Sequence, residues 1–151
     1  MKVNMVDVSG KKDVLRTAVA SGRIYLSIET VRMIKSGEVK KGDVFSVSEV
    51  AAINAVKDTA RMIPLCHNIP INKVDVGFDV GDDHISATVT VVSFGRTGVE
   101  MEALCGVSVC LLNIWDMVKY LLKDDKGEYP HTRITDIRVV EKTKKVIDDV
   151  R

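Results

Sequence analysis

Asp116 and Lys119 stand three residues apart near the end of a long apolar run in this 151-residue chain. On a helix that spacing puts both on one face. A carboxylate beside a partly buried lysine is a proton-transfer couple, because burial lowers an ammonium's pKa. The same spacing also describes an ordinary surface pair that adds little to stability. Glu100 and Glu102 follow Gly95-Arg96-Thr97-Gly98 and precede the same run. Carboxylates there accept a paired N–H edge such as that of guanine, although acidic residues favour the first turn of any helix. His67, in Pro64-Leu65-Cys66-His67-Asn68, follows a helix-ending proline, as a phosphate donor or as a cap. Three cations complete the set. Arg16 opens a strand, Lys41 precedes Gly42-Asp43 in a loop, and Lys57 shares a helix row with Val50, Ile53 and Ala60, where a lysine is unexpected unless it snorkels.

These residues need elements to hold them. Thr17–Ser27 alternates loosely, with Ala18, Ala20, Ile24 and Leu26 on one side, and predicts a strand. Glu29–Ile34 reads as a short helix. Ser46 and Glu49 form an S-x-x-E box that starts a helix running to Met62 before Pro64. Lys73–Val80 and His84–Phe94, joined by Gly81-Asp82-Asp83, form a hairpin with Val74, Val76, Phe78 and Val80 inward. A long helix spans Val99–Leu122, and Ile134–Val140 is the last strand. The order β, α, β, β, α, β is the ferredoxin-like split βαβ unit, an α+β fold with an antiparallel sheet and two long helices on one face, plus a short extra helix. No linker divides the chain, so residues 1–151 read as a single domain.

Between Ala103 and Trp115 no residue is charged. That run falls short of the roughly 20 apolar residues a membrane span needs. A helix apolar on nearly every side must be covered on nearly every side, and one small sheet covers only part of it. A second subunit is expected on the remainder. Glu100 and Asp116 would lie about 24 Å apart along such a helix, so a shared site between chains would bring both ends to one small ligand. With 22 basic and 21 acidic residues, the net charge of +1 provides no global field for nucleic acid or an anionic membrane. Met1–Gly10 has no apolar signal core, which points to the cytoplasm. Cys66, Cys105 and Cys110 make a poor disulfide framework and show no C-x-x-C metal spacing. No Gly-rich phosphate loop is present, so phosphates would be held by separate cations.

The segments MVDVS (5–9), KKGDVF (40–45), MIPLCHNIPI (62–71), GVEMEAL (98–104) and IWDMVK (114–119) together resemble the molybdenum cofactor biosynthesis protein C family, the cyclic pyranopterin monophosphate synthases. The resemblance covers about residues 5 to 142 and implies a ferredoxin-like fold assembled as a hexamer from dimers, with sites at subunit interfaces. It implies conversion of 3′,8-cyclo-7,8-dihydro-GTP to cyclic pyranopterin monophosphate and pyrophosphate, with no redox cofactor and room for a divalent cation on the substrate phosphates. Matched motif by motif, the catalytic aspartate falls on Asp116 and its partner lysine on Lys119, with Lys41 beside them. Substrate contacts fall on Leu65, Cys66, His67, Glu100, Met101 and Glu102, and further basic contacts on Arg16 and Lys57. Many members end in a Gly-rich segment bearing a lysine. Here Glu141-Lys142-Thr143-Lys144-Lys145 has no glycine, and Lys144 and Lys145 stay outside the predicted site. The alternative is a ferredoxin-like nucleotide- or RNA-binding module without catalysis. It would need exposed strand aromatics, and only Tyr25, Phe78 and Phe94 are candidates.

Overall fold

The computed structural model describes residues 1–147. Seven elements follow in order: β1 (Val14–Tyr25), α1 (Ile28–Ser36), α2 (Val44–Met62), β2 (Lys73–Val80), β3 (His84–Gly95), α3 (Glu100–Leu122) and β4 (Arg133–Lys145). The strands lie in the order β2-β3-β1-β4, and each neighbouring pair is antiparallel. This is the expected α+β, ferredoxin-like arrangement.

Alternation sets the core. Ala18, Ala20 and Ile24 of β1 and Ile85, Ala87, Val89 and Val91 of β3 are buried on one sheet face. They join Val107, Leu111, Ile114 and Val118 of α3 in one apolar cluster. Gly106 lets α3 approach both of its neighbours closely. A Cβ there would lie 2.8 Å from Val56 Cγ2 on α2 and 3.0 Å from Val89 Cγ1 on β3. A polar tie crosses the same seam, where Asn113 Nδ2 donates to buried Ser48 Oγ at 3.0 Å.

Several boundaries differ from expectation. β1 begins at Val14, so Arg16 lies inside the strand rather than opening it, and Ser27 caps α1 by accepting from Thr30 N. The box at Ser46 and Glu49 does not start α2. Asp43 is the N-cap, accepting from Phe45 N at 3.0 Å and from Ser46 Oγ at 2.7 Å. Burial of Val44 draws the helix start forward to it. Lys57 is exposed, because the buried row of α2 is Val44, Ser48, Ala52, Val56 and Thr59. The row of Val50 faces outward, with Val50 itself 56% exposed. β4 runs past Val140 to Lys145, an exposed edge strand whose charged end pairs with β1.

α3 packs against both α2 and the sheet, yet one stripe faces out. Leu112 is 56% exposed and Met101 38%, with Leu104 and Trp115 half-buried between and beside them. Within one chain, then, the helix is not covered on nearly every side. The tight seam at Gly106 yields a direct test. Gly106→Val should destabilise the fold by about 1–3 kcal/mol through overpacking, read as a lower urea midpoint with an unchanged m-value.

Candidate active site

The loop between α1 and α2 delivers Lys41 to the end of α3. Gly42, at φ 108, makes the turn before α2, and Lys40 N donates to Tyr120 Oη at 2.9 Å to pin the loop. Lys41 Nζ then donates to Asp116 Oδ2 at 3.0 Å and to the Asp116 carbonyl at 2.9 Å. Lys119 Nζ lies 3.1 Å from Oδ1 of the same carboxylate. The bond from Lys41, followed by that from Lys119, holds Asp116 below the usual carboxylate range. Asp116 is therefore an anion clamped by two cations at neutral pH, a base or charge stabiliser rather than a proton donor. All three side chains are about half exposed, at 44%, 55% and 45% for Lys41, Asp116 and Lys119. The desolvation expected around Lys119 is absent within one subunit.

At the opposite end of α3, a cavity of about 370 Å³ is lined by Leu65, Cys66 and His67 from the loop after α2 and by Glu100, Met101 and Glu102 from the first helical turn. Val6, Val8 and Lys11 of the N-terminal segment close its other side. Burial pushes the Cys66 thiol up, reinforced by Glu102 and Cys105, so Cys66 is a protonated wall residue rather than a thiolate nucleophile. Burial also raises Glu102, which is only 4% exposed, with the negative Glu100 adding to the effect. Glu100 goes the other way. Burial opposes its ionisation, but Lys142 Nζ at 2.6 Å and the helix backbone outweigh that and lower its pKa. Lys57 meets His67 and Glu102 across a small adjoining cavity. Arg16 stands beside this cluster, donating from Nε to Gly95 O at 3.0 Å and from Nη2 to Arg96 O at 3.2 Å.

The MoaC family model matches residues 5–145. The chain belongs to the MoaC family. It is 58% identical over 142 residues to a protein of Thermococcus kodakarensis named "Probable cyclic pyranopterin monophosphate synthase", covering 94% of this chain and 91% of that one. Proteins of the same name from Methanosarcina acetivorans and Methanoregula boonei are 55% and 58% identical over 143 residues, covering 95% of this chain and 90% and 92% of theirs.

In this MoaC-family chain the predicted residues fall into two groups, which one subunit does not unite. Lys41, Asp116 and Lys119 form one. Leu65, Cys66, His67, Glu100, Met101 and Glu102 form the other, with Lys57 and Arg16 at its margins. Glu102 and Asp116 are separated by about 21 Å of helix. Among the described residues, no three His, Cys, Asp or Glu side chains cluster as a metal site.

Several neighbours of the second group escaped the sequence reading. Lys142 pairs with Glu100, and Asp7 lies close enough to His67 to feel its charge, although hydrogen bonds from Ser9 dominate its lowered pKa. Lys142 and Lys144 are two apart on a strand, which was the available signal for a shared face. A strand bounded at Val140 leaves both lysines outside it, whereas β4 runs to Lys145.

The buried carboxyl supplies a pH test. A folded-state pKa raised above the unfolded value makes Glu102 compatible with folding while protonated and increasingly costly as pH rises through the folded pKa. Glu102→Gln should therefore melt higher than the parent at pH 8. The gap should close near pH 4, about the ordinary glutamate value. Parallel stability curves across that range would contradict the upward shift of Glu102.

Proposed function

We propose that this chain is a cyclic pyranopterin monophosphate synthase of molybdenum cofactor biosynthesis, a lyase that converts 3′,8-cyclo-7,8-dihydro-GTP to cyclic pyranopterin monophosphate and releases pyrophosphate. The observation that carries the reading is identity of 58% over nearly the whole length to relatives of that name. The grouping of reactive residues at both ends of α3 supports it.

The roles follow from charge and position. Asp116, kept anionic between Lys41 and Lys119, accepts a proton as the purine-derived ring opens. Lys119 returns one as the pterin ring closes. The enclosure that this donor role needs is expected from a second chain lying over α3. Glu102 and Glu100 face the amidine-like edge of the base. His67, Lys57 and Arg16 supply donors to phosphate oxygens, and developing charge on the leaving pyrophosphate is stabilised by the same cations. No redox cofactor is required, since substrate and product share an oxidation level. A divalent ion on the phosphates is compatible with the scheme.

Assembly belongs to the proposal. A two-fold axis across the outward stripe of α3 would bring the Lys41–Asp116–Lys119 group of one chain beside the His67–Glu102 group of its partner. Three such dimers make the hexamer implied by the family. The working protein is a cytoplasmic single-domain enzyme acting on a small molecule, without nucleic-acid or membrane partners. An RNA-binding reading is disfavoured by its own requirement for free strand aromatics. Tyr25 lies under Arg133 at 4.1 Å and Phe78 packs on Phe45 at 4.9 Å, which leaves Phe94 as the exposed one of the three.

The test is incubation of the purified protein with the cyclised dihydro-GTP, following pyrophosphate and the pterin product together. Asp116→Asn should lower kcat by roughly 10²- to 10⁴-fold with little change in KM. Lys57→Ala should instead raise KM, by an amount equivalent to about 1.5–3 kcal/mol for one charge-assisted phosphate contact. Equal effects of both variants on KM would contradict this division of roles.

A further inference from the structure

α3 ends at Leu122, and the chain then turns back on itself within a few residues. Asp124 N donates to Glu128 O at 2.9 Å, and Gly127 N donates to Asp124 O at 3.0 Å. The Asp124 carboxylate accepts from Lys126 N and from Glu128 N, each at 2.9 Å. One aspartate thus ties a loop that returns Tyr129 to the helix the chain has just left. There the Tyr129 ring meets Trp115 edge-on, with centroids 5.2 Å apart and planes at 71°. That is a favoured geometry for an aromatic pair.

Leu112, Trp115 and Lys119 are spaced three and four apart and form one row on α3. With Asp116 and Tyr129 they line a cavity of about 340 Å³, within the size range of small-molecule sites. Leu112, Trp115 and Tyr129 give it apolar walls, and Asp116 and Lys119 give it a charged edge. An ionised carboxylate offers about four lone-pair sites. Lys41 uses one on Oδ2 and Lys119 one on Oδ1, so Asp116 can still accept a ring N–H. Lys119 keeps further N–H donors for a ring carbonyl. An apolar side chain of a second copy would fill the walls but strip water from both charges without bonding them, which is costly. A planar heteroaromatic ring covers the walls with its faces and bonds the charges with its edge.

We propose that Trp115 and Tyr129 form a stacking shelf for the planar, nitrogen-bearing ring of the substrate, of purine or pterin type, and hold that ring against Asp116. The natural ligand's identity rests on the synthase reading, but the ring site itself rests on the cavity, the aromatic pair and the loop that brings the two rings together.

Trp115 is the single tryptophan of the chain, so its emission reports on the shelf alone. The full chain is titrated with guanosine, with GTP and with inorganic triphosphate, and followed by tryptophan emission and by calorimetry. Guanosine and GTP should quench Trp115 saturably, whereas triphosphate should leave the emission unchanged even where calorimetry shows it bound. Tyr129→Leu should weaken guanosine binding by about fivefold or more and change triphosphate binding by less than about twofold. Tyr129→Phe, which keeps the ring, should bind guanosine as the parent does, with folding of each variant checked by its melting curve. Absence of quenching by guanosine and GTP, or equal weakening of guanosine and triphosphate by Tyr129→Leu, would overturn the shelf. Emission that follows protein concentration but not guanosine would also overturn it and assign the cavity to a second copy. A parent that binds rings in this pattern yet fails to turn over the cyclised dihydro-GTP would overturn the synthase reading and leave the shelf standing.

Discussion

A rigid helix keeps its two ends apart by about 1.5 Å per residue, and α3 carries reactive side chains at both. Its seat is fixed by the close approach at Gly106, which locks it against α2 and β3 together. With the axis fixed, Glu100 and Glu102 are held at one end and Asp116 and Lys119 at the other. The loop bearing Lys41 is placed by the same helix through Tyr120. Every proposed role inherits this geometry.

The ends of α3 differ in their electrostatics as the helix dipole requires. Carboxylates are favoured at the N-terminal end, and there burial keeps Glu102 protonated more readily while Lys142 keeps Glu100 ionised. Near the C-terminal end a lone carboxylate is disfavoured and cations are favoured. Asp116 sits there because Lys119 and Lys41 both bond it, and Lys41 also takes up its carbonyl oxygen. One helix thus carries a carboxyl whose pKa is raised by burial and, far away, a carboxylate whose pKa is lowered by two lysines.

How much residue order revealed depended on burial. β2 was legible to its ends because strict alternation marks a strand with one face against a core. α2 offered two competing N-terminal signals, and burial of Val44 decided for Asp43, a tertiary effect that local pattern does not carry. β4 was half hidden. It is an exposed edge with register shifts opposite Val19–Ala20 and Ser21–Arg23 and a positive φ at Asp136, so its period is broken and its charged end resembles solvated tail. The reactive residues were legible by chemical type, but which of them share a pocket depended on long-range pairing. Lys142 beside Glu100 depends on such a pairing, and Lys57 does share the row of Val50, Ile53 and Ala60, but that row faces outward rather than into the core.

The claim that a working pocket is built from the two ends of α3 in different chains is tested most directly by complementation. His67→Ala damages one group and Lys119→Ala the other. If the groups meet only across a two-fold interface, a mixed dimer carries one doubly damaged pocket and one intact pocket. Co-refolding the two inactive variants at equal ratio should then restore roughly a quarter of parental activity, since random pairing makes half the dimers mixed and leaves half their pockets intact. No recovery, with mixed dimers verified by mass spectrometry, would place both groups in one chain's pocket and contradict the shared site.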